Sequence, residues 1–121
     1  MKKTIILMTM FCLLSSLAFA QQSAGNLQIK GVIIDNSSVD SLKLEKVAEL
    51  VKVYTKEAAL KPQSVASGYS IFSNGQLIKF DKISNLDIES FLKVSNSKLQ
   101  VVVECAKVGD LLRLVYIENQ K

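Results

Sequence analysis

The sequence predicts a β-rich α+β fold, a small five-stranded OB-like barrel with one or two helices. Five short segments carry the apolar side chains that strands with a buried face require. Asn74-Gly75 separates two of them, and an Asn-Gly pair favours a two-residue hairpin turn because both positions need φ > 0. Gly31 interrupts the first segment, which indicates a bulge or bend and favours the barrel.

The start of the chain has the pattern of a secretory signal peptide. Lys2-Lys3 is a positive start, and the apolar run Ile5–Leu17 is short for a membrane span of about 20 residues. Ala18–Ala20 matches a small-x-small cleavage site. We therefore expect residues 1–20 to be removed, and residues 21–121 to be one periplasmic or secreted domain without stable membrane insertion. An uncleaved N-terminal anchor is the alternative.

The first half of that domain predicts one strand and one long helix. Leu27–Ile34 is typical of a strand, and the polar run Asp35–Ser38 predicts the turn that ends it. Val39–Leu60 is the main helix candidate, because its apolar residues recur three and four positions apart. Pro62 stops any helix that remains and favours an extended Lys61.

The second half begins with the hairpin, Ser67–Asp81, in which Asn74-Gly75 is the turn. Ser84 and Asp87 then match a capping box, which predicts the start of a short helix. The apolar face of that helix is expected to consist of Leu86, Ile88, Phe91 and Leu92.

Two further strands, Leu99–Ala106 and Leu111–Ile117, complete the predicted set. In the last strand, Leu112, Leu114 and Tyr116 fall on one face. The resulting order, β-α-ββ-α-ββ, suits the barrel. It also leaves open a ferredoxin-like split βαβ arrangement with an extra strand, which the helix after the first strand favours.

Charge and composition exclude several classes of function. The net charge of +4 is small, and the Lys and Arg residues are dispersed along the chain. Removal of the leader lysines lowers the net charge further. We therefore expect no nucleic-acid partner. The chain contains no histidine, and beyond the leader it has a single cysteine, Cys105. Since zinc and copper sites are built mainly from imidazole and thiolate, we expect no metal and no other cofactor.

Four residues are candidates for a ligand or partner surface. Asp35 and Asp81 each follow a strand, where paired carboxylates could bind a cation or act in acid–base catalysis. Turn and cap hydrogen bonding is the competing interpretation of both. Tyr69 and Phe72 could form an aromatic ligand platform, and a place in the core is the alternative. Cys105 shares a predicted apolar face, so we expect a buried, unreactive thiol.

Several short motifs resemble a group of small exported bacterial domains of unknown function that have an OB-like barrel. The motifs span most of residues 21–121 and are Gly31–Asp35, Thr55–Leu60, Pro62, Ser67–Tyr69, Gly75, Phe80-Asp81, Asn85 and Gly109-Asp110. Members of that group often carry cysteines at positions that here correspond to Ser38, Ala58 and Ser64. The resemblance therefore implies a cysteine-less variant of the fold, and implies no disulfide, metal or redox role.

From these observations we expect a non-catalytic binding module of the cell envelope, whose partner is another envelope protein or a small ligand. An inhibitor or accessory subunit of one exported protein is the first alternative. A hydrolase acting with carboxylates alone is the second.

Overall fold

The computed structural model describes residues 26–121, so the predicted leader at residues 1–20 lies outside the described residues. The strands in this part are β1 (Leu27–Asp35), β2 (Tyr69–Ser73), β3 (Gln76–Lys79), β4 (Gln100–Val108) and β5 (Leu111–Asn119). The helices are α1 (Asn36–Val39), α2 (Leu44–Leu50), α3 (Lys56–Ala59), α4 (Pro62–Ser67) and α5 (Lys82–Leu92). This arrangement confirms the β-rich α+β class. Across residues 26–121, no helix has both the length and the apolar character needed to cross a membrane.

The five strands form one sheet in the order β3-β2-β1-β4-β5, with antiparallel pairing between neighbours. The central strand β1 divides its pairing: Leu27–Val32 pairs with β4, and Val32–Asp35 pairs with β2. The ferredoxin-like alternative is therefore wrong. A split βαβ unit keeps the strands before and after its helix parallel, with another strand between them, whereas β1 and β2 here are direct antiparallel neighbours.

Gly31 lies where β1 changes neighbours, and its missing side chain lets β2 approach closely. A Cβ atom at this position would lie 2.5 Å from the carbonyl oxygen of Phe72 and 2.7 Å from Cγ1 of Ile71. Both distances are too short for any side chain, so glycine is required here.

The hairpin prediction is confirmed. Asn74 has φ 51° and Gly75 has φ 76°, as a turn with two left-handed central residues requires. Ser73 and Gln76 pair directly on either side of the turn.

The main core lies between one face of the sheet and helix α5. Its fully or almost fully buried members are Ile33, Ala59, Tyr69, Ile71, Phe80, Ile88, Leu92, Leu99, Val101, Val103, Cys105 and Leu112. The apolar alternation predicted for β4 is thus confirmed. A smaller cluster on the opposite face consists of Ile34, Val39 and Val47, with Phe72 and Leu77 packed against it. Helices α1 and α2 therefore cover the part of the sheet that contains β2 and β3.

The predicted long helix Val39–Leu60 is wrong, because the segment is broken into short helices. The chain leaves helical geometry between α2 and α3, where the Tyr54 hydroxyl is drawn to Asp35. The Thr55 side chain then accepts a hydrogen bond from the Ala58 N–H at 3.2 Å and starts α3. Pro62 occupies the first turn of α4 rather than ending a helix, and Lys61 before it is extended as predicted.

Helix α5 begins three residues earlier than its predicted capping box implies. Asp81, not Ser84, is the cap, and its Oδ1 accepts a hydrogen bond from the Ser84 N–H at 3.0 Å. The buried face of the helix therefore contains Ser84, Ile88 and Leu92. Leu86, which was expected on that face, is 65% exposed.

The predicted face of β5 is wrong at Tyr116, which is 55% exposed. A register shift at Glu104/Cys105 pairs Cys105 with Leu114 but Glu104 with Tyr116, so that Val115 is an extra residue. Such a bulge reverses the side-chain alternation beyond it.

The outermost strands of the sheet meet at one point. Phe80, directly after β3, forms a parallel bridge with Leu112 of β5. The Asp81 N–H donates to the Leu112 carbonyl at 2.8 Å. Helix α5 follows immediately, so its position is fixed by this contact.

Candidate functional site

Asp35 ends β1 and is completely buried. Its carboxylate accepts hydrogen bonds from the hydroxyls of Ser37 and Tyr54, from the Ser38 hydroxyl at 2.7 Å and from the Ser38 N–H at 3.1 Å. Burial raises the pKa of Asp35, but hydrogen bonds from Ser37, Tyr54 and Ser38 outweigh it, so the pKa lies below its ordinary value of 3.8. This carboxylate is charged, and its acceptor positions are used by the fold.

Tyr54 is the partner in this network that comes from farthest along the chain. Its hydroxyl donates to the Asp35 carboxylate and accepts from the Asp35 N–H at 3.1 Å. Burial, and then the hydrogen bond with Asp35, raise the pKa of Tyr54. The hydroxyl therefore stays protonated and joins the loop before α3 to the end of β1.

Asp81 is also a cap, although it is held differently. Besides the Ser84 N–H, it accepts a hydrogen bond from Nε of Arg113 at 2.8 Å. Burial raises the pKa of Asp81, but the contacts with Ser84 and Arg113 together lower it below 3.8. Because the Arg113 side chain is 53% exposed, solvent screening weakens this ion pair.

The structure does not combine the two carboxylates into one site. Asp35 and Asp81 share no hydrogen-bond partner, since the first contacts Ser37, Ser38 and Tyr54 and the second contacts Ser84 and Arg113. Within residues 26–121, no group of three or more His, Cys, Asp or Glu side chains is placed to hold a metal ion. Asp35 and Asp81 therefore have the hydrogen-bond geometry of turn and cap residues.

The two aromatic candidates lie on opposite faces of β2. Tyr69 is fully buried in the main core, and its hydroxyl donates to the Ala59 carbonyl at 2.7 Å. Burial, followed by the charges of Glu89 and Asp35, raises the pKa of Tyr69 to about 12. Phe72 packs instead against the smaller cluster under α1 and α2. They are not brought together as a platform that a ligand could reach.

Cys105 is buried on the inner face of β4, as predicted. Burial, and then the charge of Glu104, raise the pKa of its thiol. A buried thiol with a raised pKa is a poor nucleophile at neutral pH.

A cleft of about 390 Å³ lies beside the hairpin. It opens between the first half of β1 and the β2–β3 turn, because β1 pairs with β2 only from Val32 onward. We call it the β1–hairpin cleft, and its lining residues are Gln28, Ile29, Lys30, Ser73, Asn74, Gln76 and Ile78.

Polar side chains dominate this cleft, and most of them are not used by the fold. Ser73 Oγ donates to the Lys30 carbonyl at 2.5 Å. Across residues 26–121, the side chains of Gln28, Lys30, Asn74 and Gln76 form no hydrogen bond or ion pair with the protein, and all four are exposed. Lys30 is the charged residue of the lining, so the cleft is weakly cationic.

A second, smaller groove of about 240 Å³ borders the cleft on the other side of β1. The two share Gln28 and Lys30. Its remaining lining residues are Val102, Glu118, Asn119, Gln120 and Lys121. Gln28 and Lys30 thus stand at the centre of a polar surface that crosses the sheet.

Sequence reasoning missed this site, because its residues lie in three separate segments and none belongs to a motif. The alternation of β1 shows that Gln28 and Lys30 face solvent. It does not show that β2 diverges beside them. Comparisons of the chain with protein-family models, curated proteins and solved structures found no match.

Proposed function

We propose that the chain is an exported, non-catalytic binding module with an OB-like barrel, and that its ligand site is the β1–hairpin cleft. The observation that carries this proposal is the convergence of exposed polar side chains without protein partners on one recess. A recess that combines unpartnered polar groups with some apolar surface can orient and hold a ligand. Here Ile29 and Ile78 contribute the apolar part.

The barrel part of the proposal is supported by two contacts. First, β1 pairs with β4 in one half and β2 in the other, as a strand shared by two curved layers does. Second, the bridge between Phe80 and Leu112 brings the two ends of the strand order together. The helix α5 after β3 and the resemblance noted in the sequence agree with an OB-like arrangement.

Export is supported by the leader pattern, with cleavage proposed after Ala20. The absence of catalysis is supported by the two carboxylates, whose acceptor positions serve turns and caps within residues 26–121. A binding module needs an exposed recess and no activated group. If the chain is instead an inhibitor or accessory subunit, the same cleft would bind one specific envelope protein.

The test is photo-crosslinking in intact cells. A photoreactive residue replaces Gln76 in the cleft, and a matched variant carries it at the exposed Glu45 of α2. We expect a discrete adduct from position 76, none from position 45, and loss of the adduct when Lys30→Glu is added. Adducts that are equal at both positions, or absent from both, would contradict the cleft assignment.

The protein purified from the same cells also tests export. Its N-terminal sequence should begin at Gln21, and an intact Met1 in the membrane fraction would contradict that part of the proposal.

A further inference from the structure

The chemistry of the ligand is indicated by the main chain of β1 rather than by its side chains. Successive residues of a strand direct their N–H and C=O groups to opposite edges. The Ile33 N–H donates to the Leu99 carbonyl at 2.9 Å, so odd-numbered residues of β1 face β4. The Asn36 N–H donates to the Gly68 carbonyl at 2.9 Å, so even-numbered residues face β2.

The two edges of β1 are not equally occupied. The edge facing β4 is paired along Leu27–Val32, whereas the edge facing β2 is paired only from Val32 onward. The main-chain groups of Gln28 and Lys30 therefore point into the β1–hairpin cleft. Among residues 26–121, the contact on this part of the edge is the Ser73 hydroxyl, which occupies the Lys30 carbonyl. The N–H groups of Gln28 and Lys30 and the carbonyl of Gln28 are left without a strand partner.

Unpaired strand edges bind extended peptides by accepting them as an added strand. An edge exposed over a whole strand would also invite aggregation. Here only Gln28 and Lys30 of β1 have open main-chain groups, and they lie in a recess beside the hairpin. The edge therefore suits a short peptide segment. The polar side chains around it are three amides, the Ser73 hydroxyl and one ammonium group, and no acidic residue lines the cleft. They complement a peptide with polar main-chain groups and an acidic side chain.

We propose that the β1–hairpin cleft binds an extended, acidic peptide segment of a partner protein, which adds as a short strand to the open edge of β1. The inference rests on the proposed function, because it names the ligand of the same cleft. The main chain of Gln28 and Lys30 holds the peptide, the Lys30 ammonium pairs with its carboxylate, and the Asn74 and Gln76 amides lie along its far side.

The premise is tested first by amide hydrogen exchange on the unliganded protein, expressed from the full chain. We expect protection at Ile29 and Gly31, whose N–H groups face β4, and fast exchange at Gln28 and Lys30. From Val32 to Asp35 protection should be continuous. Equal protection at Gln28 and Ile29 would show that the edge is already occupied and would overturn the proposal.

Binding is then tested with peptides selected from a random linear dodecapeptide library displayed on phage. The selected sequences should be rich in Asp and Glu, and a synthetic copy of one should slow exchange at the Gln28 and Lys30 amides. N-methylation of that peptide at alternate residues should weaken binding about tenfold or more in one alternating set and little in the other. Equal effects in both sets, or selection of basic peptides, would overturn the proposal.

A matched pair of variants isolates the main-chain contact. Gln28→Pro removes the N–H that faces the cleft, at an edge position where proline is tolerated, and Gln28→Ala removes the side chain alone. Peptide binding should be about tenfold weaker in Gln28→Pro than in Gln28→Ala, with equal melting temperatures. Equal affinities, with the Gln76 crosslink retained, would reject strand addition and leave the cleft assignment standing.

The alternative occupant of the cleft is a second copy of the chain. Analytical ultracentrifugation measures such self-association. A monomer at the concentrations of the peptide assay is the expected result. A dimer that Gln28→Pro abolishes and Gln28→Ala preserves would mean that a second copy supplies the added strand, which would overturn the assignment to a partner protein.

Discussion

The two halves of β1 differ in strand pairing and in burial although they belong to one strand. The second half, Val32–Asp35, is paired on the β2 side, and it contains the fully buried Ile33 and Ile34. It ends at Asp35, whose buried carboxylate is saturated with hydrogen bonds. The first half has one paired edge, and its Gln28 and Lys30 are exposed beside a cleft. One strand thus stabilises the fold at one end and leaves main-chain groups available at the other.

The difference arises at Gly31, where β2 leaves the strand. Main-chain and side-chain atoms of β2 approach Gly31 closely, and β1 pairs with β2 only from the next residue, Val32, onward. Stability and the proposed ligand binding therefore involve different residues, and mutations should separate the two.

The largest effect is expected from Gly31→Val, which places a branched side chain against the Phe72 carbonyl and the Ile71 side chain. Overpacking against main chain that cannot move should lower the free energy of unfolding by about 3 kcal/mol. Urea denaturation followed by circular dichroism measures the change. Lys30→Val is the control, because it adds the same side chain at an exposed neighbour and should shift stability by less than about 0.5 kcal/mol. A Gly31→Val variant as stable as this control would show that β2 does not depend on glycine here.

A smaller loss, on the order of 1–3 kcal/mol at pH 7, is expected from Asp35→Asn, which removes the charged acceptor of the network. The folded-state pKa of Asp35 lies below 3.8, so its contribution is present above the unfolded pKa and is lost as the pH falls through the folded value. The stability gap between wild type and Asp35→Asn should therefore narrow below about pH 3.8.

Denaturation of both proteins between pH 7 and pH 2.5 measures this gap. Tyr54→Phe removes one donor and should reproduce part of the loss at pH 7. A gap that is constant across this range would contradict the role of the Asp35 charge.

The smallest effect on stability is expected in the first half of β1. Gln28→Ala and Lys30→Ala remove exposed side chains that have no protein partner within residues 26–121, so each should change the free energy of unfolding by less than about 0.5 kcal/mol. Their effect should appear in the crosslinking and peptide experiments instead. A loss above about 1 kcal/mol would mean that these side chains belong to the fold.

Much of the sheet could be predicted from local pattern alone. Asn74-Gly75 determined its own turn, because few other residue pairs accept left-handed geometry at both positions. The alternation from Leu99 to Cys105 identified the buried face of β4, because each of its apolar residues reaches the core.

The errors occurred where distant residues compete with local preference. The apolar residues of Val39–Leu60 do recur with a helical period. The hydrogen bonds of Tyr54 with buried Asp35 nevertheless outweigh the preference of this segment for a continuous helix. Ser84 resembles a cap in sequence, yet Asp81 takes that role, and Ser84 Oγ accepts from the Leu114 N–H at 2.7 Å. The cleft could not be predicted from the sequence for the same reason, because its position depends on where the pairing of β2 with β1 ends.

The bulge at Val115 has a consequence for how molecules of this protein meet one another. Within residues 26–121, no strand lies beyond β5 after the contacts of Leu112 and Leu114 with Asp81 and Ser84. A regular edge next to the apolar run of β4 would template the growth of intermolecular sheets. The extra residue twists that edge out of register and interrupts the ladder a second molecule would need. Edge-to-edge pairing of two molecules through β5 is therefore disfavoured.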